Sequence, residues 1–274
     1  MVLEKIVTIR EAVKHPLWMF VIGAIVSLIS LSLAAFIFPE SVGLFTTILI
    51  TFTMTPFMVN LLTHEEIMTE VEVKQKLKQG FFDRHRNILF VYTAFFGGMI
   101  IALSLAFLLL PEQIVTKIFS EQINEIKLIR GDFLFSSTFL KIILNNIGVL
   151  FIAILFSFIF GSGAVFILSW NASVLAAAIG ITAKAFGGIQ GIPVALITYM
   201  PHGIFEITAY FLAGIAGGVL SAAVTRKKGE YLNEVVKDSL RVVFIAVVFL
   251  SVGAMIETAL IGLLFQIYRR FPVL

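Results

Sequence analysis

Long uninterrupted apolar runs recur along this chain, and they limit what it can fold into more than any other feature. The run from Leu17 to Phe38 contains no charged residue and, as a helix, is long enough to cross the ~30 Å hydrocarbon core of a bilayer. Hydrophobic residues make up 59% of the chain, against about half in soluble domains. The alternating short segments of a transmembrane barrel do not occur. The sequence therefore predicts an all-α, polytopic transmembrane helical bundle.

The apolar runs predict about seven spans in a single transmembrane domain, residues 1–274. The predicted spans are residues 17–38, 42–62, 88–110, 138–160, 164–183, 202–224 and 242–267. Residues 185–200 are also apolar, but three glycines and Pro193 interrupt them. We expect a re-entrant or half-helix element there, which a bilayer tolerates only when it is buried in protein.

Two charged segments separate the spans. Residues 63–86 have apolar positions that suit a cytoplasmic amphipathic segment, and residues 111–135 are expected to form an outer interfacial segment. Lysine and arginine are dense near the N-terminus, in residues 63–86 and in residues 226–241, and absent from the turn at Pro39. The positive-inside rule then predicts a multi-pass protein of the cell membrane with its N-terminus in the cytoplasm.

Composition also excludes several classes of function. Cysteine is absent, which excludes disulfides and thiolate metal sites. No phosphate-binding loop, metalloprotease motif or nucleophile elbow is present. The basic residues lie at helix ends rather than on one continuous face, so we expect no nucleic-acid partner. The lipid bilayer is the partner that the composition requires.

A histidine and two glutamates lie where lipid is expected. Ionisable groups at membrane depth cost about 2.5–3.5 kcal/mol on insertion scales unless they are paired, hydrated or bound. His202 and Glu206 are four residues apart and share one helix face, and the predicted topology puts Glu257 at a similar depth. These three residues are candidate ligands for a divalent metal such as zinc, the one cofactor that the sequence suggests.

Other polar residues fall into two groups. Asn145, Asn146 and Asn171 are expected to form an intramembrane polar cluster near the candidate ligands. A cytoplasmic-side cluster is expected from His64, Glu65, Glu66, Arg84 and His85. The intramembrane groups have three interpretations: hydrogen bonds that only hold helices together, each contributing about 0.6–2 kcal/mol, a metal or catalytic site, or a transport path.

The residues Pro201-His202-Gly203-Ile204-Phe205-Glu206 resemble a run found in the stage II sporulation protein M family. The small residues from Ala213 to Gly217, the Asn145-Asn146 pair and Met255-Ile256-Glu257 resemble further parts of that family. The family often continues Glu-Leu-Pro-Ala, whereas this chain has Glu206-Ile207-Thr208-Ala209. Its two extra N-terminal spans make it similar to the longer, archaeal-type members.

The resemblance implies an integral membrane scaffold or assembly factor, because the bacterial namesake holds peptidoglycan-degrading partners during engulfment and is not known as the hydrolase. A non-enzymatic role with membrane or extracytoplasmic protein partners is then expected. The Gly214/Gly218 pair permits either close helix approach or a homodimer. The alternative is an intramembrane metal-dependent hydrolase, or a small-solute or ion transporter, that uses His202, Glu206 and Glu257.

Overall fold

The structure, a computed structural model, describes residues 7–74, 81–130, 135–160, 164–225 and 229–270. Its helices are α1 Ile9–Lys14, α2 Leu17–Ile37, α3 Val42–Lys74, α4 Phe81–Leu109, α5 Glu112–Ile118, α6 Ser120–Arg130, α7 Phe135–Phe160, α8 Ala164–Ala185, α9 Ile192–Thr225 and α10 Gly229–Arg270, with a 3₁₀ turn at Gly188–Gly191. Within these ranges the chain forms no strand.

Seven segments of the described chain are long and apolar enough to cross a membrane. They are residues 17–37, 42–64, 86–109, 139–159, 164–185, 188–225 and 235–261. The prediction of an all-α bundle with seven spans is therefore confirmed.

The half-helix expected near residues 185–200 is not a separate element. The chain turns at Gly187 and Gly188, whose φ angles of 94° and 74° lie in the left-handed region that glycine adopts without strain. From Ile192 a continuous helix runs to Thr225. Pro193 is the second residue of this helix, where its missing N–H has no helical acceptor to lose. The glycines and the proline therefore mark the start of α9 rather than a broken helix.

The two charged segments extend or cap the spanning helices. In residues 63–86, α3 continues to Lys74 and α4 begins at Phe81, so the described part prolongs the spans; residues 75–80 lie outside the described chain. Within residues 111–135, α5 and α6 form, and Gln122 is only 1% exposed. That α5 and α6 lie on the outer face stays a prediction.

Contacts from α6 dock it onto the bundle. The Gln122 side chain donates from Nε2 to Ser173 Oγ of α8 at 3.1 Å. The backbone N–H of Gly43, at the start of α3, donates to Glu121 Oε2 at 3.1 Å. The segment therefore packs against the start of α3 and the middle of α8.

The surface of α2 shows the pattern of a helix in lipid. Most of its large apolar side chains face outward, with Trp18 57% and Phe36 87% exposed. Ser27 and Ser30 are buried, and the Ser27 hydroxyl donates to its own helix at Gly23 O, 2.6 Å away. An apolar exterior over a more polar interior is what a bilayer, rather than water, stabilises.

An aromatic cluster joins α4 to α9 at the centre of the bundle. Phe211 of α9 lies 5.4 Å from the Tyr92 ring and 5.3 Å from the Phe96 ring, measured between centroids. All three side chains are buried, and ring pairs at these distances attract beyond their burial.

Small residues bring α9 close to its neighbours. A Cβ built on Gly214 lies 3.0 Å from Ala164 Cβ of α8, and one built on Gly217 lies 3.0 Å from Ser157 Cβ of α7. The Ser157 hydroxyl donates to Gly214 O at 2.7 Å. The sequence left two roles for the Gly214/Gly218 pair: close packing of helices within one chain, or a homodimer. At Gly214 the structure shows close packing within the chain.

Candidate functional site

One cluster of ionisable side chains forms between α9 and α10. His202 and Glu206 of α9 and Glu257 of α10 each offer a ligand atom, and these atoms all lie within 4.8 Å of one another. His202 is 7% exposed, and the two glutamates are half-buried. The structure thus brings together the three residues that the sequence predicted as ligands.

The helix pair positions these side chains through a glycine. A Cβ built on Gly253 would lie 3.1 Å from Glu206 Cγ, 3.4 Å from the His202 carbonyl oxygen and 3.4 Å from Phe205 Cβ. The absent side chain therefore lets α10 approach α9 closely, one turn before Glu257. The antiparallel pair is also fixed by the Phe205 and Phe249 rings, whose centroids are 5.7 Å apart.

A hydrogen-bonded chain holds Glu206 from the side of α7. Asn146 Nδ2 donates to Glu206 Oε1 at 2.8 Å, and Tyr210 OH donates to Asn146 Oδ1 at 3.0 Å. Both Asn146 and Tyr210 are buried. The asparagine amide uses one donor and one acceptor in this chain, which fixes its orientation and links α7 to α9.

The His202 side chain, unlike Glu206, has a nitrogen without a hydrogen-bond partner in the described part of the chain. Its Nδ1 atom is buried and has no hydrogen-bond partner among the described residues. The Tyr199 ring lies edge-on, 6.2 Å from the imidazole centroid, and the Tyr199 and Thr182 hydroxyls are 3.1 Å apart. A buried imidazole nitrogen without a partner is unusual, because desolvating a polar atom costs about 1–3 kcal/mol when no bond replaces the water.

The two carboxyl groups lie close to each other. The ligand oxygens of Glu206 and Glu257 are within 4.8 Å of one another. Two carboxylates this close at low dielectric cannot both stay ionised unless a proton or a cation lies between them. The cluster can therefore hold a shared proton or a cation.

Only one of the three predicted asparagines joins this cluster. Asn146 does, but Asn145 is exposed. Asn171 Nδ2 donates to Ile167 O of its own helix at 2.8 Å, so its amide bonds within α8 rather than to the cluster. Adjacent positions on a helix point about 100° apart, which is why the Asn145-Asn146 pair divides.

The predicted cytoplasmic-side cluster is outside what the structure describes, apart from one residue. His64 is exposed. The side chains of Glu65, Glu66, Arg84 and His85 lie outside the described part of the chain. Their pairing stays a prediction.

Sequence reasoning missed Tyr210 and Tyr199. The signal was available, because Tyr199, His202, Glu206 and Tyr210 follow the three- and four-residue steps of one helix face. The buried contact of Gln122 with Ser173 was missed as well, and no local pattern indicates it.

Comparison with known proteins agrees with the resemblance in the Pro201–Glu206 run. The family model described as "Stage II sporulation protein M" matches residues 17–260. An uncharacterized protein of Methanocaldococcus jannaschii is 31% identical over 129 residues, which cover 43% of this chain and 68% of that protein. No solved structure matches the chain. Because the family model spans nearly all the chain, from the first span into the last, this protein belongs to the stage II sporulation protein M family.

Proposed function

We propose that this chain is an integral membrane scaffold or assembly factor that organises partner proteins at the cell membrane. One observation supports it above the others: the chain of bonds from Tyr210 through Asn146 to Glu206. These polar groups bond to one another and tie α7 to α9, and the proximity of Glu257 to Glu206, with ligand atoms within 4.8 Å, adds α10. A bundle fixed in this way offers a rigid surface, which is what a scaffold needs.

The partners we propose are proteins in the membrane or outside the cytoplasm, together with a second copy of this chain. With the N-terminus in the cytoplasm, α5 and α6 lie on the outer face and are available to an extracytoplasmic partner. Native mass spectrometry from detergent micelles tests the homodimer, with a mass near 60.6 kDa expected, since one chain is 30.3 kDa and two are twice that. A monomer under all detergent conditions would remove the homodimer from the proposal.

The scaffold role is tested by affinity purification from membranes of the native host. The wild-type protein and a Glu206→Gln variant are compared, because glutamine keeps the shape and the hydrogen bond from Asn146 Nδ2 while it removes the charge. We expect the same stable protein partners with both. A wild-type protein that retains no partner, or a folded variant that loses all of them, would contradict the scaffold role.

The alternative functions put the same cluster to chemical use. A transporter needs a continuous polar path from the cluster to the opposite face of the membrane. In α9, residues 211–219 are buried and hold no ionisable side chain, which counts against a path along this helix. An intramembrane metal-dependent hydrolase needs a bound ion, and hydrolysis lost in Glu206→Gln with partners retained would favour it over the scaffold.

A further inference from the structure

We propose that His202, Glu206 and Glu257 bind one divalent transition-metal ion, such as Zn²⁺, between α9 and α10. The proposal does not depend on the scaffold role, since an ion can either fasten two helices together or take part in a reaction. It depends on the geometry and charge of the three side chains.

The convergence of the ligand atoms is the first argument. A nitrogen of His202 and one carboxylate oxygen from each glutamate lie within 4.8 Å of one another. Ligand atoms about 2.0–2.2 Å from a tetrahedral ion stand roughly 3.3–3.6 Å apart. Binding therefore requires the three atoms to close a remaining gap, and rotation about the side-chain bonds of the two glutamates is the movement that closes it.

Charge balance is the second argument. Two carboxylates carry a charge of −2, and a divalent ion cancels it within a span where net charge is costly. The side chain that hydrogen-bonds to Glu206 is the neutral amide of Asn146, which brings no positive charge. An ion supplies the positive charge that this amide does not.

The buried imidazole nitrogen is the third, independent argument. His202 is 93% buried, as its 7% exposure shows, and its Nδ1 has no hydrogen-bond partner in the described structure. A metal ion, unlike lipid, satisfies a lone pair of an imidazole nitrogen. Asn146 orients Glu206 through a hydrogen bond, and Tyr210 in turn holds Asn146. Metal-binding carboxylates are typically hydrogen-bonded in this way by residues that do not contact the ion.

The donor set narrows the class of ion. One imidazole with two carboxylates suits Zn²⁺, Mn²⁺ or Fe²⁺ and does not suit Cu⁺, which prefers sulfur. Calcium prefers six to eight oxygen ligands, more than these side chains offer. Three protein ligands leave at least one coordination position open to water or to a partner group.

Zinc binding to purified full-length protein tests the site directly. The protein carries an affinity tag without histidine, is stripped with a chelator and is equilibrated with Zn²⁺ alone. We expect one ion per chain by mass spectrometry of the metal. His202→Ala and Glu257→Gln are expected to bind at least tenfold more weakly. Asn146→Ala, which removes only an orienting residue, is expected to lose about 10- to 100-fold in affinity.

Matched controls separate this site from other binding. His64 and Glu112 are exposed, so His64→Ala and Glu112→Gln are expected to bind as the wild type does. Size-exclusion chromatography and thermal unfolding establish that each variant is folded. Wild-type protein without a stoichiometric ion, or a folded His202→Ala variant with wild-type affinity, would overturn the proposal.

A measurement on the wild type alone decides the question if the variants do not fold. X-ray absorption at the zinc edge is expected to show only nitrogen and oxygen ligands at about 2.0–2.2 Å, with the outer-shell scattering of a single imidazole. The chain has four histidines, and among the described side chains only His202 lies in the cluster. A spectrum without imidazole would overturn the proposal independently of any variant, and would leave the scaffold role standing.

Discussion

Neighbouring asparagines in α7 show how much one residue position decides. Asn146 is 7% exposed and bonds to two side chains of α9, whereas Asn145 is exposed. The two residues have the same side chain and are adjacent in α7. Only their direction differs, by about 100°.

Replacement of Asn146 by alanine is expected to destabilise the fold by about 1–2 kcal/mol, because Tyr210 OH and Glu206 lose their partner in a buried setting. Asn145→Ala is the matched control and is expected to stay within about 0.5 kcal/mol of the wild type. Thermal unfolding in detergent micelles measures both. Equal effects of the two substitutions would mean that the hydrogen bonds of Asn146 do not stabilise the bundle.

At the start of α1, a capping box depends on the ionisation of Glu11. The Thr8 N–H donates to Glu11 Oε2 at 2.9 Å, and the Glu11 N–H donates to Thr8 Oγ1 at 3.2 Å. The bonds from the Thr8 backbone and hydroxyl lower the pKa of Glu11 from its ordinary value of 4.5, and His15 adds to the effect. A lowered folded-state pKa gives stabilisation that is present above pH 4.5 and is lost as the pH falls through the lowered value.

Hydrogen exchange of residues 8–14 tests this cap. Protection factors, corrected for intrinsic rates, are expected to fall between pH 6.5 and pH 3 in the wild type. In Glu11→Gln, which has no charge to lose, they are expected to start lower and change less. An identical pH response in the two proteins would show that the cap does not depend on the carboxylate.

Some site residues were predictable and others were not, for a physical reason. His202 and Glu206 belong to one helix, so their spacing alone places them on one face. Asn171 shows the limit, since its side chain bonds to its own backbone at Ile167, a choice that no spacing determines. Tyr210 follows the same four-residue step after Glu206, but a pattern of ionisable groups at membrane depth does not include it, because tyrosine is neutral at pH 7.

At the scale of helices, the contact between α2 and α4 depends on the absence of two side chains. A Cβ on Gly23 would collide with the Phe95 carbonyl oxygen, and one on Gly98 would collide with the Phe20 carbonyl oxygen. Backbone atoms cannot rotate away as a side chain can. These glycines therefore allow the two helices to approach at backbone distance.

Gly98→Ala is expected to destabilise the protein by about 1–3 kcal/mol, since the helices must separate to admit the methyl group. The adjacent Gly97→Ala is the control: its Cβ would meet the Phe20 ring at 3.8 Å, an ordinary contact. The midpoint of thermal unfolding is expected to fall only for Gly98→Ala. A fall of the same size in both variants would indicate a general effect of replacing glycine in α4 rather than a loss of the α2–α4 contact.

The start of α9 explains why the boundary of an element is harder to predict than its existence. Glycine and proline in residues 187–193 indicated a break, and the break is real at Gly187 and Gly188. Pro193, however, fits the first turn of a helix as well as it fits a loop. A sequence pattern does not distinguish these two settings, so it does not place the nine residues before Pro201 in α9, where the structure has them.

At the scale of the whole molecule, the number of spans follows from the apolar runs because each span satisfies its own backbone hydrogen bonds. The neighbours of each span do not follow, because lipid and protein interiors are equally apolar and many arrangements bury the same residues. The docking of α6 onto α8 through the bond from Gln122 to Ser173 is also not predictable from the apolar runs. The two residues are far apart in the sequence and meet only in the folded bundle.

Orientation in the membrane is a further prediction at this scale. With the N-terminus in the cytoplasm, a reporter fused after Lys228 is expected in the cytoplasm, and one fused after Pro39 is expected outside. Basic residues surround Lys228 and are absent around Pro39, and the positive-inside rule therefore places Lys228 in the cytoplasm and Pro39 outside. The opposite result at both sites would invert the molecule and place the candidate metal site on the cytoplasmic side.

The central claim is that α9 and α10 meet in the register that brings Glu257 to His202 and Glu206, and a pair of introduced cysteines tests it most directly. The chain has no cysteine, and a Cβ built on Gly253 lies 3.4 Å from Phe205 Cβ, close to the ~3.5–4.5 Å that a disulfide requires. A protease site between α9 and α10 reveals the bond on non-reducing gels.

Upon mild oxidation in membranes, the Phe205→Cys/Gly253→Cys protein is expected to keep its two fragments joined within one chain. The Gly148→Cys/Gly253→Cys protein is the control and is expected to separate, because no heavy atom of another helix lies within 4 Å of a Cβ at position 148. Fragments that separate in both proteins, or a bond that forms only between chains, would contradict the register on which the site depends.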